Sequence, residues 1–334
     1  MSGTLDRQST AIEVGPLIRK QSVAPSERVD FDNPPKSEQV KGIIAILVGG
    51  LIFSASSALV HFSARIPPMQ HLVFRSIFGI IVVGASLLWQ GKPLLGQGKA
   101  MPWIHFRGLI TGPALCVYFF AFEWLPPANA VTIYSATGGF TLVINHIFLG
   151  ELLTWIHIPC VALSVLGATL IAQPTFLVGD LAETDAGGWE YLFAIGGALF
   201  MSTQALPTRV VCRYGRFNEE MLFSLSVIGL LSGLGVMLFD AKRSWVLPPY
   251  DIMEWVSIAA ISIGGLVIQA TCNYAMERLE GGVVGLVVPC EVIWAFMWQI
   301  CVFHHPTNFM ANAGSKWKPA AAAAAAAAAV QGTG

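Results

Sequence analysis

Gly49-Gly50-Leu51-Ile52-Phe53 returns as Gly196-Gly197-Ala198-Leu199-Phe200, and Ala58-Leu59 returns in the same frame as Ala205-Leu206, an offset of 147 residues. Further along, Phe120-Ala121-Phe122-Glu123-Trp124-Leu125 returns as Tyr274-Ala275-Met276-Glu277-Arg278-Leu279 at an offset of 154. That second frame runs on without a gap and pairs Phe140 with Trp294, Ile144 with Trp298 and Phe148 with Val302. Matching apolar residues follow from composition alone. A glycine pair and a glutamate at corresponding places do not, so the chain is read as two copies of one unit.

The segments around these matches are long and apolar. A helix needs roughly 20 mostly apolar residues to cross about 30 Å of hydrocarbon. Nine such runs lie near 42–63, 69–90, 103–124, 128–149, 153–172, 189–208, 219–239, 253–275 and 281–303. Inside lipid every backbone polar group must be satisfied within its own segment, which forces helices. The alternating pattern of a membrane barrel is absent. The predicted fold is therefore an all-α polytopic membrane protein. The first unit, 42–174, holds five spans, and the second, 189–305, holds four. An odd number of spans in the first unit starts the second on the opposite membrane face, which makes the repeat an inverted one.

The flanks differ in kind. Residues 1–41 are polar, mixed in charge and punctuated by Pro16, Pro25, Pro34 and Pro35, the pattern of a disordered tail. Within that tail, Glu13 to Ile18 fits an acidic dileucine sorting signal. Residues 306–334 are low in complexity and end in an alanine run, Ala320 to Ala329, too short to cross a bilayer.

Composition agrees with this picture. Hydrophobic residues make up 54% of the 334-residue chain and charged residues 12%, about half the charge of a soluble domain. Mean hydropathy is +0.64. A net charge of -1 gives no pull towards nucleic acid. The six cysteines, Cys116, Cys160, Cys212, Cys272, Cys290 and Cys301, sit in or beside apolar runs without paired spacing, so neither a disulfide framework nor a zinc site is expected. No GxSxG, Walker A or HExxH pattern occurs; neither an enzyme nor a cofactor is expected.

Lysine and arginine set the orientation. Counted by loop, thirteen lie on the N-terminal side, among them Arg107, Arg209 and Arg278, and five on the other; Arg75 alone is counted within a span. The N-terminus is expected in the cytoplasm. The acidic loop 173–188 is expected to face the lumen or exterior.

Ionisable groups in hydrocarbon cost at least about 2.5–3.5 kcal/mol at the centre, so each needs a reason. Glu291 lies in the middle of the ninth span, with Thr137 as its repeat mate. It is read as a carboxylate for substrate binding or proton coupling, or else as a protonated structural group. Arg75 keeps its proton at ordinary pH. Such a cation faces a wet cavity as an anion site, pairs with an acid such as Glu291, or snorkels to the surface. His146, beside Asn145, fits a relay or substrate contact, or an interfacial position. Glu123 and Glu277, equivalent in the repeat, are read as solvated or helix-capping. Tyr134, Thr137, Asn273 and Trp294 complete the expected substrate-lining set. No metal site is expected at the adjacent His304 and His305. Gly108 and Gly112, Gly229 and Gly233, and Gly281 and Gly285 form small-residue stripes. These stripes serve close packing within one bundle, or else a homodimer face.

Residues 120–174 also carry a family pattern: the short connection Leu125-Pro126-Pro127-Ala128-Asn129-Ala130, then Phe148-Leu149-Gly150-Glu151, then Gly167-Ala168-Thr169-Leu170-Ile171-Ala172-Gln173-Pro174. This resembles the EamA-type domain of the drug/metabolite transporter superfamily, and within it the G branch of the solute carrier 35 group. The resemblance covers about 42–305. It implies ten helices in two inverted five-helix repeats, cytoplasmic termini, transport of an organic solute, and a carboxyl at the place of Glu291. The tenth helix is missing here, because the chain runs from His304-His305-Pro306 into a polar stretch.

The expected function is that of a secondary carrier in a plasma or endomembrane bilayer, moving a small organic solute, metabolite or organic anion by alternating access. The alternative from another class is a non-transporting membrane scaffold or receptor. A nucleotide-sugar exchanger is disfavoured, because diphosphate groups call for several fixed cations and Arg75 is the one cation counted deep in a span.

Overall fold

The computed structural model describes residues 35–60, 66–124, 133–134, 136–149, 159, 188–239, 251–279, 281–288, 294 and 297. Residues 1–34 of the expected N-terminal tail, the fifth span apart from residue 159, Glu291 and the C-terminal segment 306–334 lie outside them. Nine helices are described: α1 (Lys36–Val60), α2 (Pro68–Trp89), α3 (Met101–Trp124), α4 (Thr137–Leu149), α5 (Gly188–Ser202), α6 (Ala205–Tyr214), α7 (Asn218–Phe239), α8 (Ile252–Met276) and α9 (Gly281–Val287). No strand occurs among the described residues. Five of the helices, α1, α2, α3, α7 and α8, are long and apolar enough to cross a membrane.

Local sequence explains the helix ends. Pro68 occupies the first turn of α2, where its missing N–H costs nothing. At the other end of α2, Gly91 takes φ 66. The Gly91 N–H then reaches the Leu88 carbonyl at 3.1 Å and the Lys92 N–H the Leu87 carbonyl at 2.9 Å. This is a Schellman closure, which needs the left-handed conformation glycine adopts freely. Asp251 caps α8 by accepting from the Met253 N–H at 3.3 Å. Helix α1 begins at Lys36, inside the segment read as tail, because Glu38 is tethered there by Lys41 at 2.6 Å and Arg278 at 2.9 Å.

The sixth span, read as one run over 189–208, is interrupted. α5 stops at Ser202 and α6 starts at Ala205. Pro207 has no N–H to offer the carbonyl of Thr203, so the helix cannot run through. Tighter backbone turns close the break: the Thr203 N–H donates to Phe200 O at 3.1 Å, the Gln204 N–H to Met201 O at 3.2 Å and the Leu206 N–H to Thr203 O at 3.2 Å.

The outward faces carry large apolar side chains, among them Ile81, Leu109, Leu238 and Ile252, as a lipid-facing surface requires. Inside, α1 packs on α8, α3 on α5, α2 on α7, α3 on α7, α2 on α8 and α4 on α9. The largest apolar cluster joins Met69, Leu72 and Val73 of α2, Leu115 and Phe119 of α3, Tyr191 of α5 and Leu225 of α7. The glycine stripes lie at these internal contacts. A Cβ at Gly112 would stand 3.3 Å from the Gly229 nitrogen, and one at Gly285 2.6 Å from the Gly138 oxygen. Gly233 faces Val73 across the α2–α7 contact. The stripes therefore pack helices within one bundle.

Candidate functional site

Two arginines decide the interior. Arg107, counted from the sequence among loop cations, sits in the second turn of α3 and is 1% exposed. Nothing at this depth gives its charge to water. Its Nε donates to Thr208 Oγ1 at 2.8 Å, and its Nη2 to Asn273 Oδ1 at 2.8 Å and Gln269 Oε1 at 3.2 Å. Nη1 reaches the Met221 carbonyl at 3.5 Å, the limit of a useful bond. Asn273 passes the network on by donating to Asn218 Oδ1 at 2.8 Å, and Asn218 donates to the Ala270 carbonyl at 3.1 Å. Thr111, one turn beyond Arg107, donates to Gln204 Oε1 at 3.1 Å in the α5–α6 break. The lattice therefore joins α3, α6, α7 and α8 through neutral acceptors.

Arg75 of α2 is 8% exposed. Its Nη2 donates to the Gly265 carbonyl of α8 at 3.1 Å. Among the described residues no carboxylate forms an ion pair with it, so the acid partner weighed from the sequence is not met there. Gly265 is what lets the side chain lie against α8: a Cβ there would stand 2.3 Å from Arg75 Nε. Helices α2 and α8 also carry the buried polar residues Gln70, His71, Ser76, Glu254, Ser257 and Ser262.

A third group closes the bundle at the Lys36 end. Arg209 of α6 donates to the Met276 carbonyl at 2.8 Å and to that of Leu279, satisfying backbone oxygens that the end of α8 leaves free. Arg278 bridges Glu38 at 2.9 Å and Glu277 at 3.0 Å, and its guanidinium lies 3.4 Å from the Tyr274 ring centroid. Glu277, expected to be solvated or helix-capping, is buried and occupies the C-cap position of α8. Burial pushes its carboxyl above the usual carboxylate range, against the opposing pull of Arg278.

The other expected site residues scatter. Tyr134 is buried, donates to the Ala114 carbonyl at 3.3 Å and stacks edge-on with Tyr118 at 4.0 Å. Thr137 opens α4, and its carbonyl accepts from Ser202 at 3.1 Å across to α5. Asn273 is engaged at both ends by Arg107 and Asn218. His146 is exposed at the last turn of α4. Its neighbour Asn145 is 1% exposed, and both its amide atoms lack a partner among the described residues. Trp294 is half-buried, with its indole N–H likewise unpartnered.

Sequence reading passed over Arg107 because loop assignment absorbed it. The signal was present: Arg107 and Thr111, Gln204 and Thr208, and Gln269 and Asn273 are polar pairs four residues apart in three apolar runs. Such pairs share a helix face. The premise that Arg75 is the one cation deep in a span is thereby corrected, since Arg107 and Arg209 are buried in helices too.

Comparison with known proteins yields a consistent set. Residues 40–173 match the EamA-like transporter family. Human solute carrier family 35 member G1 is 24% identical over 284 residues, spanning 82% of this chain and 75% of its own. The pseudopaline exporter CntI of Pseudomonas aeruginosa (strain UCBPP-PA14) is 22% identical over 274 residues, spanning 82% of this chain and 91% of its own. A solved crystal structure of a protein superposes with a TM-score of 0.63 at 22% identity, covering 83% of this chain and 92% of that one, a likeness of fold alone.

Proposed function

On the premise that the chain is an EamA-type protein of the drug/metabolite transporter superfamily, akin to the G branch of the solute carrier 35 group, we propose that it is a secondary carrier of an organic anion working by alternating access. The observation that carries the anion reading is Arg75: a buried guanidinium held by one backbone carbonyl, with no carboxylate paired to it among the described residues. A permanent cation in this setting is stabilised by an anion that arrives from outside. Glu291, Tyr134, Thr137, Asn273 and Trp294 are proposed to line the path around it.

The helix pairing supports an inverted repeat. If α5 corresponds to α1 and α8 to α3, exchanging the halves turns the α1–α8 contact into the α5–α3 contact. The same exchange turns α3–α7 into α8–α2 and leaves α2–α7 and α4–α9 as they are. Two such units rocking against each other expose one site to each face in turn. Lys36, Lys41, Lys92, Lys99, Arg213 and Arg216 gather at the Lys36 end, which supports placing that end in the cytoplasm.

Uptake of a radiolabelled organic-anion panel into proteoliposomes tests this. Wild type is expected to take up at least one anion, and Arg75→Gln to lose about tenfold or more in rate, the value of a charge-assisted contact. Arg75→Gln transporting like wild type would remove Arg75 from the site. Absence of flux for every compound would favour the membrane scaffold.

A further inference from the structure

We infer that the carried anion has two negative groups and that Arg107 is the second cation that receives it; this rests on the anion-carrier reading above. Arg75 binds α8 at Gly265, and Arg107 binds α8 at Gln269 and Asn273. Residues 265, 269 and 273 are spaced by four and so occupy one helix face. At about 1.5 Å rise per residue, successive contacts lie about 6 Å apart along the axis. Two permanent positive charges thus converge on one stripe of α8, their contacts one to two turns apart. Every described acceptor of Arg107 is neutral: two amides, a hydroxyl and a backbone carbonyl. Hydrogen bonds are satisfied there while the charge is not, and a neutral side chain would clamp the same helices without that electrostatic cost.

The chain topology gives the charge a use. Both arginines belong to the first half, on α2 and α3. Every acceptor named for them, on α6, α7 and α8, belongs to the second half. Relative movement of the halves breaks just these bonds. Oxyanions of a bound substrate replace the neutral acceptors as they leave, one group on Arg75 and one on Arg107. A dianion that spans one to two helical turns together with the two guanidinium groups matches the pair, whereas a monoanion leaves one cation uncompensated.

The test uses the full-length protein in proteoliposomes. Straight-chain dicarboxylates from malonate to adipate are each compared with their half-amide. Wild type is expected to take up the dianion of at least one pair about tenfold faster than its monoanionic partner. Arg107→Gln is expected to bring the ratio of dianion to partner uptake down to about one, and Arg107→Lys to restore part of the preference. Thermal unfolding of each purified variant establishes that it is folded. Equal loss of both members of a pair in folded Arg107→Gln, or failure of Arg107→Lys to restore any preference, would make Arg107 a helix clamp and overturn the inference. Wild-type uptake without preference for the dianion would overturn it while leaving the anion carrier standing. Uptake of no anion in the panel would overturn both.

Discussion

Arg75 of α2 lies against Gly265 of α8 so closely that a Cβ at residue 265 would stand 2.3 Å from its Nε and 2.9 Å from its Cδ and Cζ. The glycine and the arginine therefore act as one feature, a notch in α8 that holds a guanidinium flat against a helix. Gly265→Ala is expected to push the guanidinium off the Gly265 carbonyl and cost transport about tenfold, close to the effect of Arg75→Gln. Arg75→Gln combined with Gly265→Ala is expected to be no worse than Arg75→Gln alone, because the notch has nothing left to hold. Initial uptake rates in proteoliposomes decide this; additive losses would separate the two residues.

Backbone contact at the glycine stripes sets a second expectation. A Cβ at Gly285 would stand 2.6 Å from the Gly138 carbonyl oxygen, and backbone atoms cannot swing away as a flexible side chain can. Gly285→Ala is expected to destabilise by about 1–3 kcal/mol, the cost of overpacking. At Gly196 nothing lies within 4 Å of the same added carbon, so Gly196→Ala is the neutral control. Thermal unfolding in detergent measures both. Equal unfolding temperatures for the two variants would mean that α4 and α9 are not in tight contact.

How far the sequence reached depends on the length scale of each signal. Membrane spans are legible because about 20 apolar residues have one use in a lipid-spanning chain. The α2, α3, α7 and α8 helices accordingly fall close to their expected ranges. The break at Thr203 and Gln204 was less legible, because Pro207 lies within an apolar run and its effect falls four residues earlier. Arg75 could be singled out since it stands alone in its run. Arg107 was absorbed into a loop, because its polar pairing with Thr111 gains meaning only from Thr208, Gln269 and Asn273, which lie 101, 162 and 166 residues away. Asn273, chosen as a substrate contact, is a member of that lattice. His146, chosen for its titration, is exposed at the last turn of α4, where helical phase is not fixed by composition.

Glu277 carries a pH expectation with a definite sign. Burial raises its carboxyl above the ordinary value of 4.5, with Arg278 and Arg216 opposing and Glu220 reinforcing. Glu38 and Tyr274 also face the Arg278 guanidinium. A carboxyl raised on folding favours the folded form at low pH, and that contribution fades as pH rises through the folded value. Glu277→Gln should therefore match wild type in unfolding temperature near about pH 4 and gain on it towards about pH 8. Unfolding in detergent across that range measures it. A variant that loses ground as pH rises would show that Arg278 outweighs burial.

The repeat itself can be tested by covalent chemistry. A Cβ at Gly49 of α1 would stand 3.1 Å from the Cβ of Thr271 on α8, and one at Gly197 of α5 3.2 Å from the Cβ of Val117 on α3. Thr271 follows Val117 by 154 positions, and Gly197 follows Gly50, the neighbour of Gly49, by 147. The two contacts are therefore near-counterparts across the halves, and each joins one half to the other. Both separations are slightly below the usual Cβ–Cβ range of about 3.5–4.5 Å for a disulfide, a gap that small helix shifts close. Gly49→Cys with Thr271→Cys, and Gly197→Cys with Val117→Cys, are each expected to cross-link under mild oxidation, stop uptake, and release it on reduction. Locking either contact arrests two halves that must move against each other. A pair that cross-links fully while uptake continues would mean that the moving boundary lies elsewhere, and that α1 and α8, or α3 and α5, travel together.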